Sequence, residues 1–328
     1  MSPTSSSAGR PKEPSALRAL SDDLASAVER ASRSIVAIHA RPRIPASGIY
    51  WREGIVVAAS HTVRRDQDIP VVLPDGSRAQ ARVVGRDGGT DVAVLRFDTN
   101  ASATALTPAD QAPADALRVG TLVLAVGRPG DAGVSASLGV VSAVGDRWRT
   151  WSGGEIDRFV RLDLNVYDGF SGGPLIDADG RVLGMNCSAL ARGAPLTIPS
   201  TTVDRVIDAL LTRGHVARAY LGVAMQPVRL TRSVAERLQL ADNGGVLVVM
   251  VESDSPADRA GLLVGDVIVA AAGVSVGEPQ DVAELLGAER VGSALELTVI
   301  RGGEKRPVNV TVGERPTSEG TRRRGRDS

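Results

Sequence analysis

The chain has 328 residues, which at roughly 100 to 200 residues per domain predicts two or three domains, and its 43% hydrophobic and 23% charged content marks a folded protein with real cores. Its 38 basic and 38 acidic side chains cancel, so no overall field draws it to nucleic acid or an anionic membrane. One cysteine excludes an internal disulfide, and 36 glycines with only 3% aromatics predict many tight turns around an aliphatic core.

In chain order, residues 1–14 form a Ser, Pro and Gly tract without the apolar stretch of a secretory signal, and no later apolar run reaches about 18 residues. The expectation is a protein without a cleaved signal or transmembrane segment, cytoplasmic by default. Leu17, Leu20, Leu24, Val28 and Ala31 recur at three- and four-residue intervals, predicting a helix. Short Val-rich runs follow at 35–39, 54–59, 69–73, 81–85, 92–97, 122–126, 137–144, 159–163, 175–176 and 182–186, separated by turn signals such as Pro74-Asp75-Gly76. This pattern predicts an all-β sandwich or barrel. A helix capped by Thr201 or Thr202 and stopped by Gly214 closes the first domain, expected at 15–216.

A second, mixed α+β unit is expected at 217–315, with strands at 220–225, 246–251, 266–271, 295–301 and 305–312 and short helices near 233–238, 256–260 and 279–286. Residues 316–328, rich in arginine, are predicted to be a disordered basic tail like the first 14.

The segment Asp168-Gly169-Phe170-Ser171-Gly172-Gly173-Pro174-Leu175 carries the strongest chemical signal. Glycines around a serine let the backbone turn tightly, present Oγ to a substrate and aim successive N–H groups at one point. Such a serine needs a base and a group to orient that base. Only three histidines exist. His61 leaves an apolar run ending in small residues, as a rigidly mounted base would; His39, inside a strand, and His215, behind a helix end, read as structural. Asp91, delivered by a glycine turn to the mouth of a strong strand, fits the orienting acid, with Asp98, Asp163 and Asp168 as competitors. Cys187 reads as a small buried residue, Trp148 and Trp151 as a cover over the barrel in preference to the lining of a regulatory loop, and no spacing of His, Cys or carboxylates suggests a metal site.

The order His61, Asp91, Ser171, with Thr90-Asp91-Val92-Ala93-Val94-Leu95, Gly139-Val140-Val141-Ser142, Ser171-Gly172-Gly173-Pro174-Leu175 and Ile198-Pro199-Ser200, resembles the chymotrypsin-like serine proteases of the HtrA (DegP/DegS-like) family. The resemblance implies a mainly β fold: a double β-barrel protease domain followed by a small α+β PDZ domain. It implies Ser171 as nucleophile, His61 as general base and acid, Asp91 as the group fixing the imidazole, and the backbone N–H groups of Gly169 and Ser171 as oxyanion hole; these roles are those of the general triad. The family usually has asparagine where this chain has Phe170, which also cannot form the ammonium–aspartate pair that activates trypsin-type zymogens. Neutral Asn165, the S1 pocket candidate, stands where trypsin-type enzymes carry an acid, so no preference for Arg or Lys is expected at the cleavage site, and the resemblance implies small aliphatic residues there instead.

The second unit resembles an HtrA-type PDZ domain. Tyr220, Leu221, Gly222 and Val223 match its carboxylate-binding loop, with Asp254-Ser255-Pro256-Ala257 and Val264-Gly265-Asp266-Val267-Ile268 in its core. The expected activity is ATP-independent endopeptidase action on unfolded or misfolded polypeptides, with peptide C-termini bound at the PDZ domain. The alternative is a catalytically silent or latent scaffold binding polypeptides. The resemblance further implies a homotrimer and an extracytoplasmic location; nucleic acid and cofactors are not expected.

Overall fold

A computed structural model describes residues 15–97, 106–113, 116–190 and 195–315. The two tails and Asp98, one of the competing acids, lie outside the described residues. The chain divides into two compact units, Met1–Val216 and Ala217–Ser328.

The first unit opens with helix α1 (Ala16–Ser32), started by Ser15, whose hydroxyl accepts the Arg18 N–H, and buried along Ala27 and Ala31. Strands β1 (Ile35–Ile38), β2 (Ala46–Arg52), β3 (Ile55–Ala59), β4 (Ile69–Val72), β5 (Arg78–Asp87) and β6 (Val92–Phe97) close into a barrel in the order β1-β2-β3-β6-β5-β4. β7 (Leu122–Gly127) and β8 (Ser135–Gly145) come next, followed by the small hairpin β9 (Trp148–Arg149) and β10 (Glu155–Ile156). With β11 (Phe159–Asp163), β12 (Pro174–Ile176), β13 (Val182–Cys187) and β14 (Leu196–Pro199) they give a second barrel, ordered β11-β14-β13-β12-β7-β8. Closure leaves neither barrel with a free edge. Strands β1 and β3 are buried on both faces, so they read as continuous Ile, Val and Ala rather than alternating. Ile49, Val57, Val94, Val126, Ile176 and Ile198 from both barrels share one apolar core.

Helix α2 (Ser200–Arg213) lays Val203, Val206, Ile207 and Leu210 on that core and stops at Gly214, whose φ of 77° is the left-handed geometry glycine tolerates. The expected Thr201 or Thr202 cap is not made: Pro199 occupies the cap position, and the buried Thr202 hydroxyl instead accepts the Asp157 N–H at 3.0 Å. Strands β2 and β14 and the β9–β10 hairpin also depart from expectation. β2 is Ala-Ser-Gly-Ile-Tyr-Trp-Arg, buried at six successive residues with no alternation to announce it. The expected strand over His39 ends one residue earlier, at Ile38.

The second unit has β15 (Ala219–Tyr220), β16 (Val223–Arg229), helix α3 (Arg232–Arg237), β17 (Gly244–Val251), helix α4 (Pro256–Arg259), β18 (Val267–Ala271), β19 (Val274–Ser275), helix α5 (Pro279–Glu284), β20 (Ala294–Arg301), β21 (Glu304–Thr311) and β22 (Gly313–Glu314). Its main sheet runs β16-β17-β18-β20-β21, with β19 on β18, while β15 pairs with β22. The single strand expected from Tyr220 is split at Gly222, where φ is 83°. Leu221, Val246, Ile268, Val282, Leu297 and Val310 fill a separate core.

Candidate active site and peptide-binding loop

His61 sits in a 3₁₀ turn, Ser60–Thr62, directly after β3, so the buried strand Ile55–Ala59 fixes its mount. Asp91 is brought opposite it by the turn between β5 and β6. The buried Asp87 carboxylate builds that turn by accepting the N–H groups of Gly89 and Thr90 and the Thr90 hydroxyl, the last at 2.7 Å. Asp91 itself holds φ at 60°, an uncommon geometry for a non-glycine residue, and its carbonyl accepts the Ser60 N–H at 2.8 Å. The β9–β10 hairpin braces the turn: the Thr150 hydroxyl donates to the Gly89 carbonyl at 2.7 Å.

The Asp91 carboxylate then meets His61 twice. Oδ1 accepts the His61 backbone N–H at 2.8 Å, and Oδ2 lies 2.6 Å from the imidazole Nδ1. With Nδ1 bearing the proton toward the acid, Nε2 is left as the acceptor. The Asp91 side chain is only 8% exposed and that of His61 31%, so the acid is sequestered while the base reaches solvent. Asp163 and Asp168 make no hydrogen bond to His61, and His39 is engaged instead with Asp131 at 3.2 Å.

Ser171 comes from the loop before β12, on the other barrel. The Gly169 carbonyl is pinned by the Ser47 N–H at 3.0 Å and the Ser47 hydroxyl at 2.6 Å, and that hydroxyl in turn accepts the Arg128 N–H. Gly172 at φ 90° presses against the first barrel: an added Cβ would lie 2.2 Å from the Ser47 carbonyl oxygen and 2.9 Å from the Ala59 nitrogen. Phe170 is buried beneath the loop, edge-on to Tyr167 with ring centroids 5.4 Å apart. The N–H groups of Gly169 and Ser171 are not used in the backbone bonding that ties the loop, in which Phe170, Gly172 and Gly173 donate.

The Ser171 hydroxyl lies 2.9 Å from the Ser188 hydroxyl and accepts the Ser188 N–H at 3.3 Å; among the described residues it has no hydrogen bond to His61. Cys187, next in the chain to Ser188, ends β13 and directs Sγ to Asp91 Oδ2 at 2.9 Å. Burial, then the neighbouring Asp91 charge and its hydrogen bond, push the thiol pKa well up, so Cys187 stays a protonated donor. Neither residue stood out in the sequence beyond burial of the cysteine; the signal available was a polar pair at the end of an apolar strand. Among the described residues the potential metal donors that gather are His61, Asp91 and Cys187, within 4.8 Å of one another. Their hydrogen bonding to one another makes them a positioning network.

Asn165 is exposed, its N–H donating to the Ser137 hydroxyl at 3.2 Å. Of the two tryptophans expected to cover the barrel, Trp148 packs edge-on against Phe159 at 5.7 Å, whereas Trp151 is fully exposed at the hairpin tip. At that exposure the Trp151 ring covers none of the barrel among the described residues.

In the second unit Tyr220, Leu221, Gly222 and Val223 join β15 to β16. Leu221 is buried, its carbonyl accepts the Ala257 N–H at 2.9 Å, and the Gly222 carbonyl accepts the Glu252 N–H at 2.8 Å. Glycine is required at 222 because a Cβ would fall 2.2 Å from the Ser255 Cβ. The Tyr220 hydroxyl donates to Glu252, and burial followed by that bond and the Glu252 charge pushes its pKa up to about 12. β16 is the end strand of its sheet, with α5 beside it.

Two closed six-strand barrels, with a histidine–aspartate pair on one and a glycine-framed serine on the other, define a chymotrypsin-like peptidase fold, here followed by a PDZ unit. Residues 46–185 match the trypsin-like peptidase domain and 219–312 the PDZ domain. The chain is 36% identical over 283 residues to a probable periplasmic serine endoprotease, DegP-like, of Rhizobium meliloti, covering 84% of this chain and 55% of that protein. A DegP-like protein of Halomonas elongata is 36% identical over 276 residues, 83% of this chain and 56% of the relative. The chain thus spans little more than half the length of these relatives. The solved HtrA-type protease AlgW with tripeptide superposes with a TM-score of 0.70 at 30% identity, covering 90% of this chain and 99% of that one. The serine endoprotease from Yersinia pestis gives 0.70 at 25% identity, covering 89% and 98%. The chain belongs to the HtrA family of serine proteases.

Proposed function

We propose that the chain is an ATP-independent serine endopeptidase that hydrolyses peptide bonds in unfolded or misfolded polypeptides, acting outside the cytoplasm as the names of its periplasmic relatives suggest. The observation that carries this reading is the doubly bonded His61–Asp91 pair together with the glycine-framed Ser171 loop, which packs through Gly172 against Ala59, two residues before His61. Ser171 Oγ attacks the scissile carbonyl carbon while His61 Nε2 takes its proton. The carbonyl oxygen becomes an oxyanion received by the N–H groups of Gly169 and Ser171, each such donor typically worth about 3 to 4 kcal/mol of transition-state stabilisation. Asp91 stabilises the imidazolium without taking its proton. As the C–N bond breaks, the imidazolium gives its proton to the leaving amine. Water, deprotonated by His61, then attacks the acyl-enzyme and releases the acid with Ser171 restored.

Neutral Asn165 in place of an acid offers no charge partner to Arg or Lys at the cleavage position, and family membership favours small aliphatic residues there. The free edge of β16 and the loop 220–223 suit a peptide C-terminus added as a further strand, its carboxylate held by loop N–H groups. Assembly as a homotrimer is carried by family membership alone.

One observation favours the second reading, a latent or silent scaffold: the Ser171 hydroxyl engages Ser188 rather than His61. Fluorophosphonate labelling of wild type and Ser171→Ala, with and without reduced casein, separates the two. Labelling of wild type alone, with casein cleaved by wild type alone, supports the endopeptidase. Absence of both from folded protein, even with PDZ-binding peptide added, favours the scaffold.

A further inference from the structure

We propose that a basic cleft beside the candidate active site binds acidic side chains of the substrate on the leaving-amine side of the scissile bond; this specificity rests on the endopeptidase reading. The cleft, of about 450 Å3, is lined by Arg41, Pro42, Arg43, Ile44, Arg64 and Asp168. Its three walls are the three segments that frame the chemistry. Residues 41–44 join β1 to β2, Arg64 follows the turn carrying His61, and Asp168 immediately precedes Gly169.

The cleft is built rather than merely charged. The Arg41 side-chain Nε donates to the Ile44 carbonyl at 2.8 Å, and the Arg64 N–H donates to the Ala40 carbonyl at 3.2 Å, so the first two walls are tied together. Arg43 holds φ at 73°, an uncommon left-handed geometry for an arginine. Three arginines and one acid, Asp168, line the cleft. Several other arginines of this unit end on acids: Arg52 on Asp204 and Asp208, Arg86 on Asp66, Arg181 on Asp177. Arg43, Arg64 and Asp168 make no ion pair among the described residues, and the nearby Asp66 is occupied by Arg86. The cleft therefore retains unspent positive charge.

The position of His61 gives the direction. The imidazole hands its proton to the leaving amine, so the segment C-terminal to the scissile bond runs along the edge that carries His61 and, three residues on, Arg64. At about 3.3 to 3.6 Å per extended residue, the second and third residues past the bond lie some 7 to 10 Å from Ser171. A carboxylate there would meet the planar fork of a guanidinium, the geometry that favours paired hydrogen bonds.

The test uses amidated peptides, which deny the PDZ unit a C-terminal carboxylate. Nonapeptides with a central valine are made with glutamate, glutamine or lysine at the second and third positions after it, and with the same glutamates moved before it. Binding to Ser171→Ala protein is read by fluorescence anisotropy, and cleavage by wild type as kcat/KM. The glutamate peptide is expected to bind and to be cleaved about three- to tenfold better than the glutamine peptide at low salt, the advantage shrinking in 0.5 M salt. The lysine peptide and the moved-glutamate peptide should show none. In Arg43→Glu/Arg64→Glu the ratio should invert toward lysine, and a ratio measured within one preparation is insensitive to the fraction folded. Equal affinities for the glutamate and glutamine peptides, or a preference untouched by the double substitution, would overturn the proposal. A binding preference with no cleavage of any peptide would keep the cleft and remove the endopeptidase reading.

Discussion

Cys187 is expected to act through Asp91, and its removal gives a graded test of the network. In Cys187→Ala, Asp91 Oδ2 loses the thiol at 2.9 Å and keeps the imidazole at 2.6 Å, while Oδ1 keeps the His61 N–H. A typical hydrogen bond contributes about 0.5 to 1.5 kcal/mol net, and a thiol is a weak donor facing an ionised acceptor, so that range applies. At 1.36 kcal/mol per factor of ten, the fall in kcat/KM is about two- to tenfold. It should appear in kcat, because the Cys187 side chain is fully buried and cannot touch substrate. Cys187→Ser retains a donor on a shorter bond and should recover at least half of the loss. Steady-state cleavage of a peptide and the rate constant of fluorophosphonate labelling measure the effect, with thermal melting to account for the small void left by sulfur. Wild-type rates in Cys187→Ala, or a serine variant no better than alanine, would refute the reasoning.

Three more outcomes follow from the geometry. Ser188→Ala removes the hydroxyl 2.9 Å from Ser171 Oγ, so labelling should speed up about two- to fivefold, and a slower reaction would show that Ser188 assists instead. Gly172→Ala sets a Cβ 2.2 Å from the Ser47 carbonyl oxygen at φ 90°; labelling should drop at least about 100-fold with a melting loss of roughly 2 to 4 kcal/mol, and full activity would refute the packing described. In the second unit Asp266 is 1% exposed and takes a two-pronged hydrogen bond from Arg301, both contacts at 2.7 Å. Burial opposes its ionisation, but the Arg301 hydrogen bonds, the Leu263 N–H and the Arg301 charge outweigh that and hold its carboxyl below the ordinary range. A depressed folded value means this stabilisation is whole above about pH 4 and lost as pH falls through the folded pKa. Asp266→Asn should therefore cost about 2 to 3 kcal/mol at pH 7 and flatten the acid dependence, read by hydrogen exchange of residues 217–315 in the full chain; an unchanged acid profile would count against it.

The parts of the site legible in the sequence were those with a local signature. Three histidines restrict the base to a short search, and the glycines flanking Ser171 announce a loop under unusual backbone demands. Asp91 was legible only through its glycine turn, and the buried Asp87 that shapes the turn reads as an ordinary acid. What stayed hidden depends on distant partners. Ser47 and Cys187 sit in strands whose sequences show only burial, yet one holds the Gly169 carbonyl and the other touches Asp91, 122 and 96 residues away in the chain. Strand β2 is hidden in the sequence for a related reason: a strand buried on both faces has no alternation, and its glycine and serine are chosen by close neighbours. The cap of α2 went to Pro199 because Thr202 is drawn inward by Asp157, a tertiary demand overriding a local preference.

The distribution of the site over two barrels has a consequence for how the molecule matures. His61 and Asp91 belong to the sheet finished at Phe97, whereas Ser171, Cys187 and Ser188 are made some 80 residues later. On the proposed chemistry neither half is a nucleophilic catalyst by itself, since a serine without its base and a base without its serine both lack the reactive pair. The seam that unites them is closed by Gly172 against Ser47 and Ala59 and by the thiol against Asp91, contacts that tolerate little separation. Hydrolytic power then emerges only with the docking of two completed barrels. A partly synthesised copy, holding the base without the serine, is a harmless neighbour to its siblings.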